Sequence, residues 1–249
     1  MDKAIDSYDY EVGGIGYARI RRPDPHIAAQ ILSCLGDAAS VLNIGAGTGS
    51  YEPDDRYVVA VEPSSAMRAQ RKRPAVIATA DALPFDDNAF DASMACLTIH
   101  HWPDLEAGLR EMRRVTRGPL VLMTFDPNEI ATYWLDDYCP EMAISDKFRF
   151  PTVEKTRSIL GEIEVVTVKT PLNCLDGYQE AFYGRPEMLL REDVRRAQSG
   201  WGFVPDGAEE RFVQHLYADL QSGRWDEKYG YLRSQPSYEG ALRLYISRE

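Results

Sequence analysis

VLNIGAGTGS (residues 41–50), VVAVEPSSAM (58–67) and ATADALPF (78–85) decide how this chain folds. Val41, Leu42 and Ile44 form a short apolar run that ends in Gly45, Gly47 and Gly49. A strand that stops in clustered glycines and passes into a helical turn lets a ligand approach the backbone closely. The second apolar run, residues 58–61, ends in Glu62, and the third, residues 75–80, ends in Asp81. An acid at the tip of the second strand can accept from both hydroxyls of a ribose. A carboxylate at the tip of the third can accept from an exocyclic amine such as that of adenine. The stretch reads as a site for an adenosine-containing cofactor.

The spacing selects among such cofactors. A dinucleotide fingerprint is G-x-G-x-x-G/A with an acid about 20 residues on. Here the glycines make G-x-G-x-G and position 50 is Ser50, one residue early for a pyrophosphate loop. No Lys follows the glycines, as a triphosphate loop requires.

The pattern resembles motif I of the class I S-adenosylmethionine (SAM) methyltransferases. EPSSAM resembles the segment after that motif, and ADALPF resembles motif II. LTIHHWPDLEAGLREMRRVTRGPLVLMTF (97–125) resembles the fourth strand, acceptor motif, helix and fifth strand. The resemblance covers residues 38–126 well and the remainder loosely. It implies an α/β fold with a doubly wound, Rossmann-like sheet of seven strands, the seventh antiparallel. It implies methyl transfer from SAM, leaving S-adenosylhomocysteine, to an O, N or C atom of a small-molecule acceptor. The cofactor positions it implies are Tyr17, Asn43, Gly45, Ala46, Gly47, Glu62, Pro63, Met67, Asp81, Ala82 and Leu97. At the position of Asn43 the family usually carries Asp or Glu; Asn keeps a carbonyl oxygen as acceptor. Met67 suits either packing on adenine or a place in the core, and Asp81 suits either an adenine contact or a helix cap.

The acceptor side falls at His100 and His101, after the fourth strand. Adjacent residues on an extended segment point to opposite sides, so one of the pair is expected to face the transferred methyl, His100 first. An imidazole titrates near neutral pH and can take a proton from the acceptor. Asp126, at the tip of the fifth strand, either orients a histidine or binds an acceptor amine, or caps the turn at Pro127.

Around this core the chain divides into an arm, a core and an insertion. YARIRRPDPHI (17–27) resembles a lid segment, with residues 1–25 as an arm that folds over the cofactor or packs its tyrosines on the core. Ile27, Ala28, Ile31, Leu32 and Leu35 recur at helical spacing. Ser64 is placed to cap a helix running to Lys72, and Pro103 and Asp104 to start one that Gly118 stops. Residues 152–160 read as a helix, and residues 162–170 and 241–247 as strands. About 70 residues separate those two strands, far more than a hairpin holds. Residues 171–239 are therefore expected to form a mostly helical cap, leaving residues 26–170 and 240–249 as the core. The aromatics of the cap suit an apolar acceptor, the sulfonium, or a small core of their own.

The chain has 249 residues with a formal net charge of -11, and its 44% hydrophobic and 27% charged content is that of a globular protein. Such a charge repels phosphate backbones, which argues against a nucleic-acid substrate. The longest basic run is Arg71-Lys72-Arg73, at a helix end where cations suit the dipole. Cys34, Cys96, Cys139 and Cys174 are scattered, which suggests neither a zinc site nor a disulfide framework. No metal is expected. With no apolar leader and no run long enough to span a bilayer, the expectation is a cytoplasmic monomer or homodimer. Two alternatives come from other classes: a nicotinamide-dependent oxidoreductase, and a SAM-binding protein without turnover.

Overall fold

The computed structural model describes residues 8–14, 16–130 and 133–248. Residues 1–7 and Ile15 of the expected arm lie outside the described residues. The arm begins with two single-turn helices, α1 (Tyr10–Gly13) and α2 (Tyr17–Ile20). Helix α3 (Pro25–Leu35) follows, capped by Asp24, whose carboxylate accepts from the His26 and Ile27 amides. Pro25 sits at the first helical position, where a missing N–H costs nothing.

The sheet contains β1 (Ser40–Ile44), β2 (Tyr57–Val61), β3 (Ala92–Cys96), β4 (Leu120–Phe125), β5 (Ile163–Thr167) and β8 (Leu242–Ser247). Their order is β2-β1-β3-β4-β8-β5. The first four are parallel, and β8 enters antiparallel between β4 and β5. Every residue of β4 is buried, as a continuous apolar strand in a doubly covered sheet should be. Alternation then splits the strand between two cores. Val121 and Met123 face a cluster with Ile27, Ile31 and Leu35 of α3. Leu120 and Leu122 face one with Leu109 and Met112 of α5 (Leu105–Arg114).

Three expected elements differ. The expected third strand contributes one parallel bridge, Val61 with Val76, so six strands form the hydrogen-bonded sheet rather than seven. It lies on the outer edge with Ile77 71% exposed, and Pro74 supplies no N–H to a ladder. Helix α4 (Ser65–Arg68) ends well before Lys72, because Arg71 turns inward to the glycine loop. Helix α5 ends at Arg114 instead of running to Gly118. The Thr116 hydroxyl bonds back to the Met112 carbonyl at 2.7 Å. Gly118 serves a close approach instead, since a Cβ there would meet the Asp91 carbonyl oxygen at 2.2 Å.

Beyond β4 the chain forms α6 (Pro140–Arg149) and α7 (Val153–Leu160). The insertion begins and ends at a two-stranded ribbon, β6 (Thr170–Pro171) with β7 (Ser237–Tyr238). It carries α8 (Glu192–Arg196), α9 (Ala208–Ser222) and α10 (Arg224–Tyr229) between 3-10 turns. Its core joins Phe182, Tyr183, Phe212 and Trp225 to Trp134, Leu135 and Met142, so the segment before α6 packs with the insertion. No helix among the described residues is long and apolar enough to cross a membrane.

Candidate active site

A cavity of about 630 Å³ opens at the carboxyl ends of β1, β2 and β3 and is roofed by the arm. This is where open parallel sheets place ligands. Its floor is the loop after β1, where Gly45 and Gly47 take φ of 64° and 52°. A side chain at either would be strained, and a Cβ on Gly45 would strike the Thr98 hydroxyl at 2.1 Å.

Glu62 leaves β2 into the cavity wall. One of its oxygens accepts from the Gly47 amide at 2.7 Å and the other from the Ser64 amide at 2.8 Å. Burial raises its pKa, against the pull of those two N–H groups. Each oxygen keeps an accepting direction, as a vicinal diol requires. Pro63, Ser64 and Met67 continue the wall, and Ala78, Thr79 and Ala80 close the far side. Asn43 and Leu97 line the cavity too, Asn43 donating to Glu52 at 3.0 Å. Leu97 holds a left-handed φ of 52°, and such strain collects at functional sites. Asp81 and Ala82 stand just beyond Ala80, outside the lining, and Asp81 Oδ1 is buried with no hydrogen-bond partner among the described residues.

The floor is braced from below. Arg71 pairs with Glu52 at 2.6 Å and donates to the Ala46 and Gly47 carbonyls at 3.2 and 3.1 Å. Nothing in the sequence marks this pair, and Arg71 reads there as a cation at a helix end. From the roof, Glu11 binds the Ser64 hydroxyl, the Ser65 amide and the Ser65 hydroxyl at 2.6–2.7 Å. The Ser65 and Ser64 hydroxyls hold the Glu11 carboxyl down at about 2. Tyr17 lines the cavity and accepts from Arg21 at 2.8 Å. Arg21 also donates to Asp176 of the insertion at 2.5 Å, and the Tyr51 hydroxyl donates to the same carboxylate at 2.8 Å. Arm, glycine loop and insertion thus meet at one buried acid.

The histidine segment is not extended. Residues Ile99–His101 form a 3-10 turn, which brings the two rings together, centroids 4.0 Å apart. His101 lines the cavity, with Nε2 2.9 Å from the Tyr10 hydroxyl. His100 packs on Phe150, centroids 4.2 Å apart, outside the lining. Burial and the Arg149 charge lower His101 to about 3, and burial, then His101, lowers His100 well below its usual value. Neither ring titrates near neutral pH, contrary to the expectation for a free imidazole. Asp126 accepts from the Asn128 amide at 3.0 Å and stands away from the cavity. Sequence reasoning missed Tyr10, Glu11, Thr98 and Asp176. The contacts they make span tens of residues, and no local spacing signals them.

Residues 42–119 match the methyltransferase domain family. A putative methyltransferase from an antibiotic biosynthesis pathway of Anabaena variabilis superposes with a TM-score of 0.85 at 30% identity, over 92% of this chain and 99% of that one. The demethylmenaquinone methyltransferase of Mycolicibacterium gilvum is 39% identical over 100 residues, 36% of this chain and 44% of that protein. The malonyl-[acyl-carrier protein] O-methyltransferase of Halorhodospira halophila is 31% identical over 106 residues, 36% of each chain. The chain thus matches less than half the length of these two curated relatives. It belongs to the class I SAM-dependent methyltransferase family. The nicotinamide alternative falls with that membership.

Proposed function

We propose that this protein transfers the methyl group of SAM to a small-molecule acceptor that enters beside His101. The observation carrying the proposal is that Glu62, with both oxygens anchored by backbone amides, shares one cavity with the glycine loop and His101. The residues present fit the cofactor. Glu62 would hold the ribose hydroxyls, the Gly45–Gly47 loop and Asn43 the amino-acid end, and Pro63, Met67 and Ala80 the adenine. Asp81, whose buried oxygen lacks a donor, suits an exocyclic amine nearby.

SAM, when bound, supplies an electrophilic methyl on a sulfonium that carries its own leaving group. The chain's task is to align the acceptor with that methyl and to exclude water. The arm contributes both, with Tyr10 and Tyr17 over the cavity and Glu11 latched to Ser64 and Ser65. Of the insertion, Asp176 reaches the cavity, where it closes the end beside Tyr17 and Tyr51. The formal charge of -11 supports a small acceptor over a phosphate backbone.

Calorimetric titration with SAM, followed by transfer of a labelled methyl to a panel of phenols, carboxylic acids and amines, tests the reading. Absence of SAM binding refutes it. Tight SAM binding with no transfer to any acceptor favours a binding protein without turnover.

A further inference from the structure

Resting on that reading, the chemistry of the acceptor end narrows the substrate. Four carboxylates line the cavity, and each is engaged. Asp9 accepts from the Glu11 amide, and Glu11 holds the two serines. Glu62 holds two amides, and Asp176 is bound by Arg21 and Tyr51. The groups left facing the acceptor are neutral rings. Tyr10 meets His101 edge to face, ring centroids 5.1 Å apart, with the Tyr10 hydroxyl on Nε2. Tyr8 and Tyr17 flank Tyr10 at 4.9 and 6.2 Å, and His100 backs His101. The charge acting on Tyr10 is that of Arg21 and the one acting on His101 is that of Arg149, with Asp146 already paired to Arg149 at 3.0 Å; Asp176 and Glu62 act on Tyr17, and Arg196 and Asp9 on Tyr8. Burial drives Tyr10 up and His101 down, so both stay uncharged across the working range. A base whose conjugate acid is that strong gains little by taking a proton from an alcohol or ammonium.

We infer that the site takes its acceptor as an anion, a carboxylate or a phenolate or enolate whose proton has passed to bulk water, with its oxyanion held by the Tyr10 hydroxyl and His101 behind it. In that state His101, in its Nε2–H tautomer, donates to the Tyr10 oxygen, and the Tyr10 O–H donates to the acceptor. A lone pair of the acceptor oxyanion forms the bond to the methyl carbon. The carbon–sulfur bond breaks and its electron pair stays on sulfur. Anion and sulfonium become a neutral ester or ether and a thioether, and no proton has to be removed by the enzyme. Opposite charges that neutralise each other in a low-dielectric cavity favour the forward step.

The probe is 4-nitrophenol, whose ionised form absorbs separately from the neutral one, added to protein saturated with S-adenosylhomocysteine. The bound probe should ionise about tenfold more readily than in buffer, as a charge-assisted hydrogen bond would produce. Tyr10→Phe should abolish that gain while cofactor affinity, read by calorimetry, stays unchanged. In a rate assay with labelled SAM, the acidic limb of the pH profile should follow the acidity of each substituted phenol or benzoate. The inference is overturned by a probe bound in its neutral form, by equal ionisation in wild type and Tyr10→Phe, or by failure of both 4-nitrophenol and benzoate to bind. A single break common to all acceptors that vanishes in His101→Asn overturns it too. Loss of SAM binding itself is a separate result and refutes the methyltransferase reading instead.

Discussion

Glu11 on the arm accepts a hydrogen bond from the backbone amide of Ser65 at 2.7 Å, across 54 residues of sequence. The bond joins the roof of the cavity to the wall that starts at Glu62. Its strength is set by charge, since a carboxylate that accepts from two hydroxyls and an amide stays ionised to low pH.

Glu11→Gln should therefore loosen the arm. The carboxyl titrates at about 2 in the folded chain, below its free value. A depressed acid contributes fully above its unfolded pKa and loses the contribution as pH falls through the folded one. The latch should hold unchanged from pH 5 to 8 and fail only in strong acid. Stopped-flow release of SAM should be several-fold faster in the variant at neutral pH; equal release rates would remove Glu11 from the closure.

Glu62 couples binding to a stability cost. Glu62→Ala removes charge-assisted bonds worth about 1.5–3 kcal/mol each, so SAM affinity should fall at least about tenfold. Burial raises the Glu62 pKa, so the folded chain holds this proton more tightly than the unfolded one. Stability from this group falls as pH rises from the ordinary glutamate range through the raised value. Glu62→Gln should consequently melt at or above the wild-type temperature at pH 7 without cofactor, while binding SAM worse. Melting curves with and without SAM separate the two effects, and a lower melting point for the unliganded variant contradicts this account.

Arg71 and Glu52 form a pair whose side chains are 1% and 7% exposed. Arg71→Met strands a buried carboxylate and removes the donor to the Ala46 and Gly47 carbonyls. Loss of one partner of a buried pair costs about 3–5 kcal/mol. Urea unfolding should register that loss, and the double variant Arg71→Met with Glu52→Gln should recover part of it. Full additivity of the two substitutions would mean the pair is not coupled.

Asp176 gathers Arg21 and Tyr51 on one carboxylate. Asp176→Asn keeps the shape and removes the charge, leaving Arg21 buried without its counter-ion. Hydrogen exchange should speed up together in α2, in residues 45–51 and in the start of the insertion. Faster exchange confined to the insertion would mean the three segments move independently.

Much of the cavity's floor and wall was readable from the chain. Gly45, Gly47, Glu62 and Leu97 mark the places where apolar runs stop, and a strand end is a local event in sequence. The third strand failed because an edge run with Pro74 before it and Ile77 in solvent has one neighbour to pair with. The histidines were read on an extended segment, whereas hydrogen bonds from the His101 amide to Thr98 and from Trp102 to Ile99 wind it into a turn. The Tyr10–His101 pair spans 91 residues, and its burial, which sets the imidazole's charge, depends on the closed arm. Trp134 and Met142 carry no periodicity that would assign them to the insertion, since the surface they cover comes from residues far later in the chain.

Strand β8 lies between β4 and β5, and its register with β4 runs from Leu120–Ser247 to Phe125–Leu242. Until residues 242–247 arrive, β5 has no neighbour in the sheet and β4 ends in an open edge. The ribbon of Thr170 with Tyr238 must also close a loop the length of the whole insertion. Contacts that distant in sequence are slow to form, because chain entropy is lost before they contribute. The parallel half with the glycine loop can condense early, while the halves of the sheet join last. A nascent chain of this protein would therefore hold its glycine-loop edge before the insertion closed over it, and β4 would be the segment most exposed to wrong pairing in the interval.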